Sequence, residues 1–296
     1  MLKRALLAVF TMFFLSGPAL AAELNVLATL PWIGSVAKDI GGDRVTVTVL
    51  VKPNQDPHYI EARPSMIAAA RKADIVIFNG LDLEIGYLPV IIESSRNPGI
   101  QPGKAGYLDC SKFVKPIEIQ ERVDRSQGDV HPLGNPHYHL SASQMGRVAR
   151  GIAEALSALD SGSGGLYMAN LASFEKKLAE RRKEWDGRLK GKSYVAFHRF
   201  FEYLAADLGF RITGYIEQRP GIPPSSGHIA ELVDSMSKER PDAILTTSYH
   251  GGKALGFLSK RTGVKAIVLP HEVGSQKGID DWFGLMDRVV KDLSGD

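Results

Sequence analysis

The stretch LYMANLASFEKKLAERRKEWDGRL, residues 166–189, decides how this chain is built. Leu171, Phe174, Leu178, Trp185 and Leu189 recur at spacings of three, four, seven and four, which places them on one stripe of an α-helix. At 1.5 Å per residue such a helix spans about 36 Å, the length of a domain. The Gly/Ser-rich residues 161–165 precede it, and the charge on its other faces reads as solvated surface. On both sides of it the pattern changes to short apolar runs alternating with helical segments. Upstream, residues 24–30, 45–51 and 74–78 are strand-like; residues 64–73 read as a helix with Ser65 as N-cap, and Ser141 caps another that runs to Leu159. Downstream the rhythm repeats, with strands at 194–197, 211–216, 243–247 and 265–269 and helices at 200–208, 229–237 and 253–262.

Continuous apolar strands followed by helices are the signature of parallel sheets covered on both faces. The expected fold class is therefore α/β, with two lobes, each a parallel β-sheet flanked by helices, joined by one long rigid helix. The expected boundaries are a leader at 1–21, an N-terminal α/β lobe at 22–160, a connecting helix at 161–191 and a C-terminal α/β lobe at 192–296. The roughly 275 residues after the leader exceed one ordinary domain, which agrees with two lobes.

The first 21 residues read as an export signal. Lys3 and Arg4 give a positive start, residues 5–15 are apolar, and Ala19-Leu20-Ala21 supplies a small-x-small cleavage pattern. Gly17-Pro18 breaks the apolar run well short of the about 20 residues a membrane span needs. With no cysteine after the cleavage site, lipid attachment there is not expected. The protein is expected to be periplasmic after cleavage. The formal net charge of +3 includes Lys3 and Arg4, leaving about +1 on the mature chain, which is no footprint for nucleic acid or an acidic membrane surface. Cys110 is the single cysteine, so an internal disulfide and a cysteine-based zinc site are excluded. It is expected to be a small buried hydrophobe.

Four of the eight histidines, His58, His137, His198 and His271, stand where an apolar run or a Pro-containing turn ends. His58 lies in Asp56-Pro57-His58-Tyr59 and His137 in Asn135-Pro136-His137-Tyr138, while His198 and His271 each follow a strand-like run. Ligands of open α/β sheets bind beyond the carboxyl ends of the strands. Neutral imidazoles are common ligands of zinc and its first-row neighbours. The four positions predict a transition-metal site assembled from both halves. Such ligands bind only when neutral, so their ordinary pKa of about 6.5 predicts release of the ion on mild acidification. His139, two residues from His137, would point the other way in an extended segment. His228 and His250 read as helix-end or loop residues, and Tyr138, Phe200 and Tyr203 as side chains that dry the cleft.

The chain also resembles the metal-binding solute-binding proteins of zinc and manganese ABC importers (cluster A-I). The resemblance rests on Pro53-Asn54-Gln55-Asp56-Pro57-His58-Tyr59 with Arg63-Pro64-Ser65, then Ala73-Asp74-Ile75-Val76 and Asn79-Gly80. It continues with Asn135-Pro136-His137-Tyr138, His198 with Phe201 and Tyr203, and Glu217-Gln218-Arg219-Pro220-Gly221-Ile222-Pro223-Pro224-Ser225. It implies His58, His137 and His198 as metal ligands. Histidine at the third position is the zinc-type choice, where manganese-type members carry glutamate, so Zn2+ is expected before Mn2+. At the fourth position His271 replaces the family's aspartate, with Glu272, Asp280 or water as alternatives. The counterpart of the His-rich loop of some relatives, residues 120–134, carries a single histidine, His131, two residues after Asp129, with metal collection as a role for His131.

The resemblance implies a periplasmic high-affinity zinc-binding protein, not an enzyme, that delivers its ion to the permease of an ABC importer in the inner membrane. A monomer is expected, with no nucleic-acid partner. The competing readings are a manganese-type binding protein, a periplasmic metallochaperone, and a zinc-dependent hydrolase, since three histidines and a water on zinc can generate hydroxide. Against the hydrolase stands the lack of a general base or oxyanion arrangement near these motifs.

Overall fold

The computed structural model describes residues 23–119, 131–250 and 253–295. The leader at 1–21 and the 120–130 part of the loop, Asp129 included, lie outside the described residues.

Strand β1 (Leu24–Ala28) pairs in parallel with β2 (Val45–Val49) on one side and β3 (Ile75–Phe78) on the other, and β4 (Tyr107–Asp109) completes the order β2-β1-β3-β4. The second sheet repeats this arrangement. Its strands β5 (Ser193–Ala196), β6 (Arg211–Tyr215), β7 (Ala243–Thr247) and β8 (Ala266–Leu269) lie in the order β6-β5-β7-β8, again all parallel. Two of the inner strands, Ile75–Phe78 and Ala243–Thr247, are buried throughout, as strands covered on both faces must be. In each sheet the direction in which the connections step across the sheet reverses between the two inner strands, β1/β3 and β5/β7. That is the switch point at which open α/β sheets leave a crevice.

The helices follow from local sequence. Helix α1 (Pro31–Gly41) and helix α2 (Pro64–Lys72) start on prolines, whose missing N–H costs nothing at a helix start. Ser65 therefore sits inside the first turn of α2 and Arg63 takes the cap position, a correction to the reading from sequence. Helix α3 (Leu88–Ser95) ends on Arg96 in a left-handed conformation. Ser141 does cap helix α4 (Ala142–Leu159), accepting from the Gln144 N–H.

Helix α5 (Gly164–Trp185) forms from most of the 166–189 stretch and begins two residues before it. Its 22 residues reach about 33 Å. It stops at Trp185 because Asp186 leaves helical geometry and Gly187 takes φ +75°. The stripe Leu171, Phe174, Leu178 and Trp185 is buried as expected, and Leu189 is buried just beyond the helix end.

In the second sheet's half, α6 (Glu202–Leu208), α7 (Ser226–Lys238) and α8 (Lys253–Thr262) connect the strands. The last helix, α9 (Trp282–Ser294), is capped by Asp281, which accepts from the Gly284 N–H. It crosses back to pack on α1 and α5. Trp282 donates its backbone N–H to Ser35 Oγ at 3.0 Å and its indole N–H to the His139 carbonyl at 2.7 Å. The Trp185 indole reaches Asp287 at 2.9 Å. One apolar core therefore runs through both sheets, while a smaller cluster of Val195, Phe197, Ile216, Leu232, Met236 and Ile244 with Leu258 and Val264 lies beneath α7 and α8. Cys110 is fully buried, as a small hydrophobe would be.

Trp282 is fully buried at this crossing. Replacing a buried tryptophan by alanine costs about 3–5 kcal/mol, so Trp282→Ala should lower the urea midpoint strongly at unchanged slope. A loss under about 1 kcal/mol would mean that α9 does not tie the two halves together.

Candidate metal centre

Two histidines are presented by the same local device. The Asp56 side chain accepts from the His58 N–H at 3.0 Å, and the Asn135 side chain accepts from the His137 N–H at 2.9 Å. In each case a proline stands between, so an Asx turn and a fixed φ aim the following histidine. His198 comes two residues after β5, at the switch point of the second sheet.

These three side chains converge. One donor atom from each of His58, His137 and His198 lies within 4.8 Å of the others, with His137 and His198 buried and His58 half-buried. The Nε2 atoms of His137 and His198 are 3.2 Å apart. Ligand nitrogens around tetrahedral zinc, at bonds of 2.0–2.1 Å, stand about 3.3 Å apart. The spacing therefore fits a shared ion. Carboxylates orient two of the rings: Asp56 meets His58 Nδ1 at 2.6 Å and Glu217 meets His198 Nδ1 at 2.8 Å. A proton held at Nδ1 leaves the Nε2 lone pair for the metal, and such partners also raise ligand basicity. Phe200 covers the His137 ring at 4.5 Å, and the Tyr138 and Tyr203 hydroxyls donate to the Asn79 and Asn135 carbonyls, packing the wall dry.

His271 does not belong to this group of three. It lies two residues after β8, lining a cavity of about 20 Å³ with His137, His139, Tyr249 and Glu272. Its Nδ1 is 3.3 Å from Ser248 Oγ. Glu272 is fully enclosed, and burial pushes its carboxyl up to about 8, so it is a neutral acid at pH 7. Asp280 is exposed. A fourth imidazole beside the group is His131, whose Nε2 is 3.1 Å from His58 Nε2. His139 bonds through Nε2 to the His271 carbonyl and stacks on Trp32, a structural role. His228 reaches the Tyr215 carbonyl from the first turn of α7.

Burial and mutual repulsion set the protonation of these rings. Burial first, then His198, His58 and His131, hold His137 well below its ordinary value. Burial, with His58 and His198, brings His131 down to about 3. Burial pushes the Asp56 carboxyl up, but the bonds from His58 outweigh it and hold Asp56 below the usual range. His137 and His131 are thus neutral at neutral pH.

Sequence reasoning passed over three residues here. Asp56 and Glu217 sit inside longer motifs that do not single them out, and His250 has the sequence surroundings of a loop residue, yet its ring centroid stands 5.0 Å from that of His198. The signal available for all three is their position just past the ends of strands or beside a ligand. Asp56→Asn should weaken metal binding about 10–100-fold, as loss of an orienting partner does, measured by chelator competition. An unchanged affinity would remove Asp56 from the site.

Two parallel sheets with a buried cluster of imidazoles beyond their strand ends define a cation-binding protein of the two-lobed α/β class. The chain belongs to the family described as "Zinc-uptake complex component A periplasmic", which matches residues 26–295. It is 25% identical over 280 residues to the zinc-binding lipoprotein AdcA of Streptococcus pneumoniae (strain ATCC BAA-255 / R6), covering 92% of this chain and 55% of that protein. The chain thus spans about half the length of this relative. It is 27% identical over 291 residues to the manganese ABC transporter substrate-binding lipoprotein PsaA of Streptococcus anginosus, covering 92% and 90% of the two chains. A crystal structure of ZnuA superposes with a TM-score of 0.77 at 23% identity, covering 92% of this chain and 98% of that one, and so shares the fold.

Proposed function

We propose that this chain captures zinc in the periplasm and hands it to the permease of an ABC importer in the inner membrane. The observation that carries the reading is the group of three imidazoles, His58, His137 and His198, with Nε2 atoms of two of them at ligand spacing and carboxylates behind two of the rings. An ion held there is cargo, and the chain is a binding protein, not an enzyme. His131, at 3.1 Å from His58, is better placed than His271 to complete the coordination sphere. The leader at 1–21 supports export with cleavage, and the protein works as a monomer.

An all-imidazole group is softer than the carboxylate-containing sites that suit manganese, so zinc is favoured over manganese. The test is a competition titration on the metal-free protein with equimolar zinc and manganese. Zinc should displace manganese completely. Manganese holding its own would make this a manganese-type protein.

A further inference from the structure

A second group of potential ligands adjoins the first. One donor atom from each of His198, Glu217 and His250 lies within 4.8 Å of the others. They stand just beyond the carboxyl ends of β5, β6 and β7, and His198 and His250 flank the β5/β7 switch point. The His250 ring is fixed: it stacks on Phe197 at 5.3 Å, and its Nδ1 lies 3.0 Å from Thr247 Oγ1, which leaves Nε2 to bind. Glu217 and His250 are half-buried, while the shared His198 is buried.

We infer that His198, Glu217 and His250 form a second station for the same divalent transition-metal cargo, used in alternation with the three-histidine site. The inference rests on the reading of His58, His137 and His198 as the capture site. Two histidines and a carboxylate are a competent donor set for zinc and its neighbours. Alternation follows from the chemistry of one ring. A neutral imidazole has one lone pair and one N–H. With the ion on His198 Nε2, the proton sits on Nδ1 and donates to Glu217 at 2.8 Å. With the ion on Nδ1, Glu217 becomes a ligand and the proton sits on Nε2, where His137 Nε2 at 3.2 Å accepts it. Each position thus has its proton accounted for, and filling one empties the other. Stoichiometry stays at one ion, and His198 acts as the pivot between a group whose other members are His58 and His137 and one whose other members are Glu217 and His250.

The test uses the full mature chain and zinc itself. The double variant His58→Ala/His137→Ala should lose tight binding yet keep one equivalent of weaker zinc, read by chelator competition. Adding His250→Ala should weaken that residual binding at least about tenfold further, the loss of one donor. Residual binding that ignores His250→Ala, or no residual binding at all, would overturn the second station. Zinc held by the double variant as tightly as by the wild type would instead overturn the three-histidine reading. Should the double variant not fold, stopped-flow transfer of zinc from the single variant His250→Ala to a chelator decides alone. Release several-fold slower than wild type supports the station, and an equal or faster rate sinks it.

Discussion

Replacing any one of His58, His137 or His198 with alanine is expected to lower zinc affinity more than a hundredfold. Apparent binding free energies of zinc sites built from protein ligands are on the order of 10 kcal/mol, so one of three or four donors carries about 3 kcal/mol. Solvent replaces a lost donor poorly here, because His137 and His198 are buried and Phe200 covers the His137 ring. The fold should be indifferent. The core that runs from Val26 to Leu293 is apolar and continuous, and none of these three imidazoles belongs to it. Circular dichroism of the metal-free protein should therefore match that of the loaded one. An unfolded metal-free protein would turn the cluster into a structural site, and alanine variants that bind zinc like the wild type would place the ion elsewhere.

The convergence of three of those side chains was legible because each lies beside a feature that sequence reports well: a proline turn or the end of an apolar strand. The same holds for the fold. Strands such as Ile75–Phe78 and Ala243–Thr247 are buried on both faces and leave uninterrupted apolar runs. The less legible elements are short or held by distant partners. Helix α3 has eight residues and a proline at its second position, and β4 has three. Helix α9 was readable and passed over: Trp282, Leu285, Met286, Val289, Val290 and Leu293 recur at helical spacing behind the cap Asp281. What no spacing could report is that α9 crosses to the first lobe, since that depends on where Ser35 and His139 arrive in space. His271 illustrates the same limit. Its place after β8 is equivalent to that of His198 after β5, but its ring turns towards Ser248 and Tyr249, and His131 stands nearer the cluster.

Acid should release the metal later than the ordinary histidine value of about 6.5 would dictate. From sequence alone the competition between protons and zinc sets in near that value. The structure moves it, because burial and the neighbouring rings hold His137 well below it and bring His131 down to about 3. A ring whose folded-state pKa is depressed stays neutral as pH falls through 6.5, so its lone pair remains available to zinc until the pH nears the lowered value. Zinc affinity should thus fall less between pH 7.5 and pH 6 than it would if His137 titrated at the ordinary value. The metal-free fold behaves in the opposite sense. The unfolded chain takes up protons on His131, His139, His250 and His271 near 6.5, while burial in the folded chain keeps these rings at about 3, 4, 4 and 4. Their contribution to stability is therefore present above about 6.5 and is lost progressively between there and about 4. Lowering the pH from 6.5 to 5 should depress the thermal midpoint of the metal-free protein while the loaded protein changes less, since zinc binds only the folded state. Chelator competition at each pH, paired with melts of both forms, reads the two effects separately. Affinity that collapsed between pH 7.5 and 6, with a metal-free midpoint flat from 6.5 to 5, would show that the rings titrate as exposed histidines and that the buried cluster does not hold the ion.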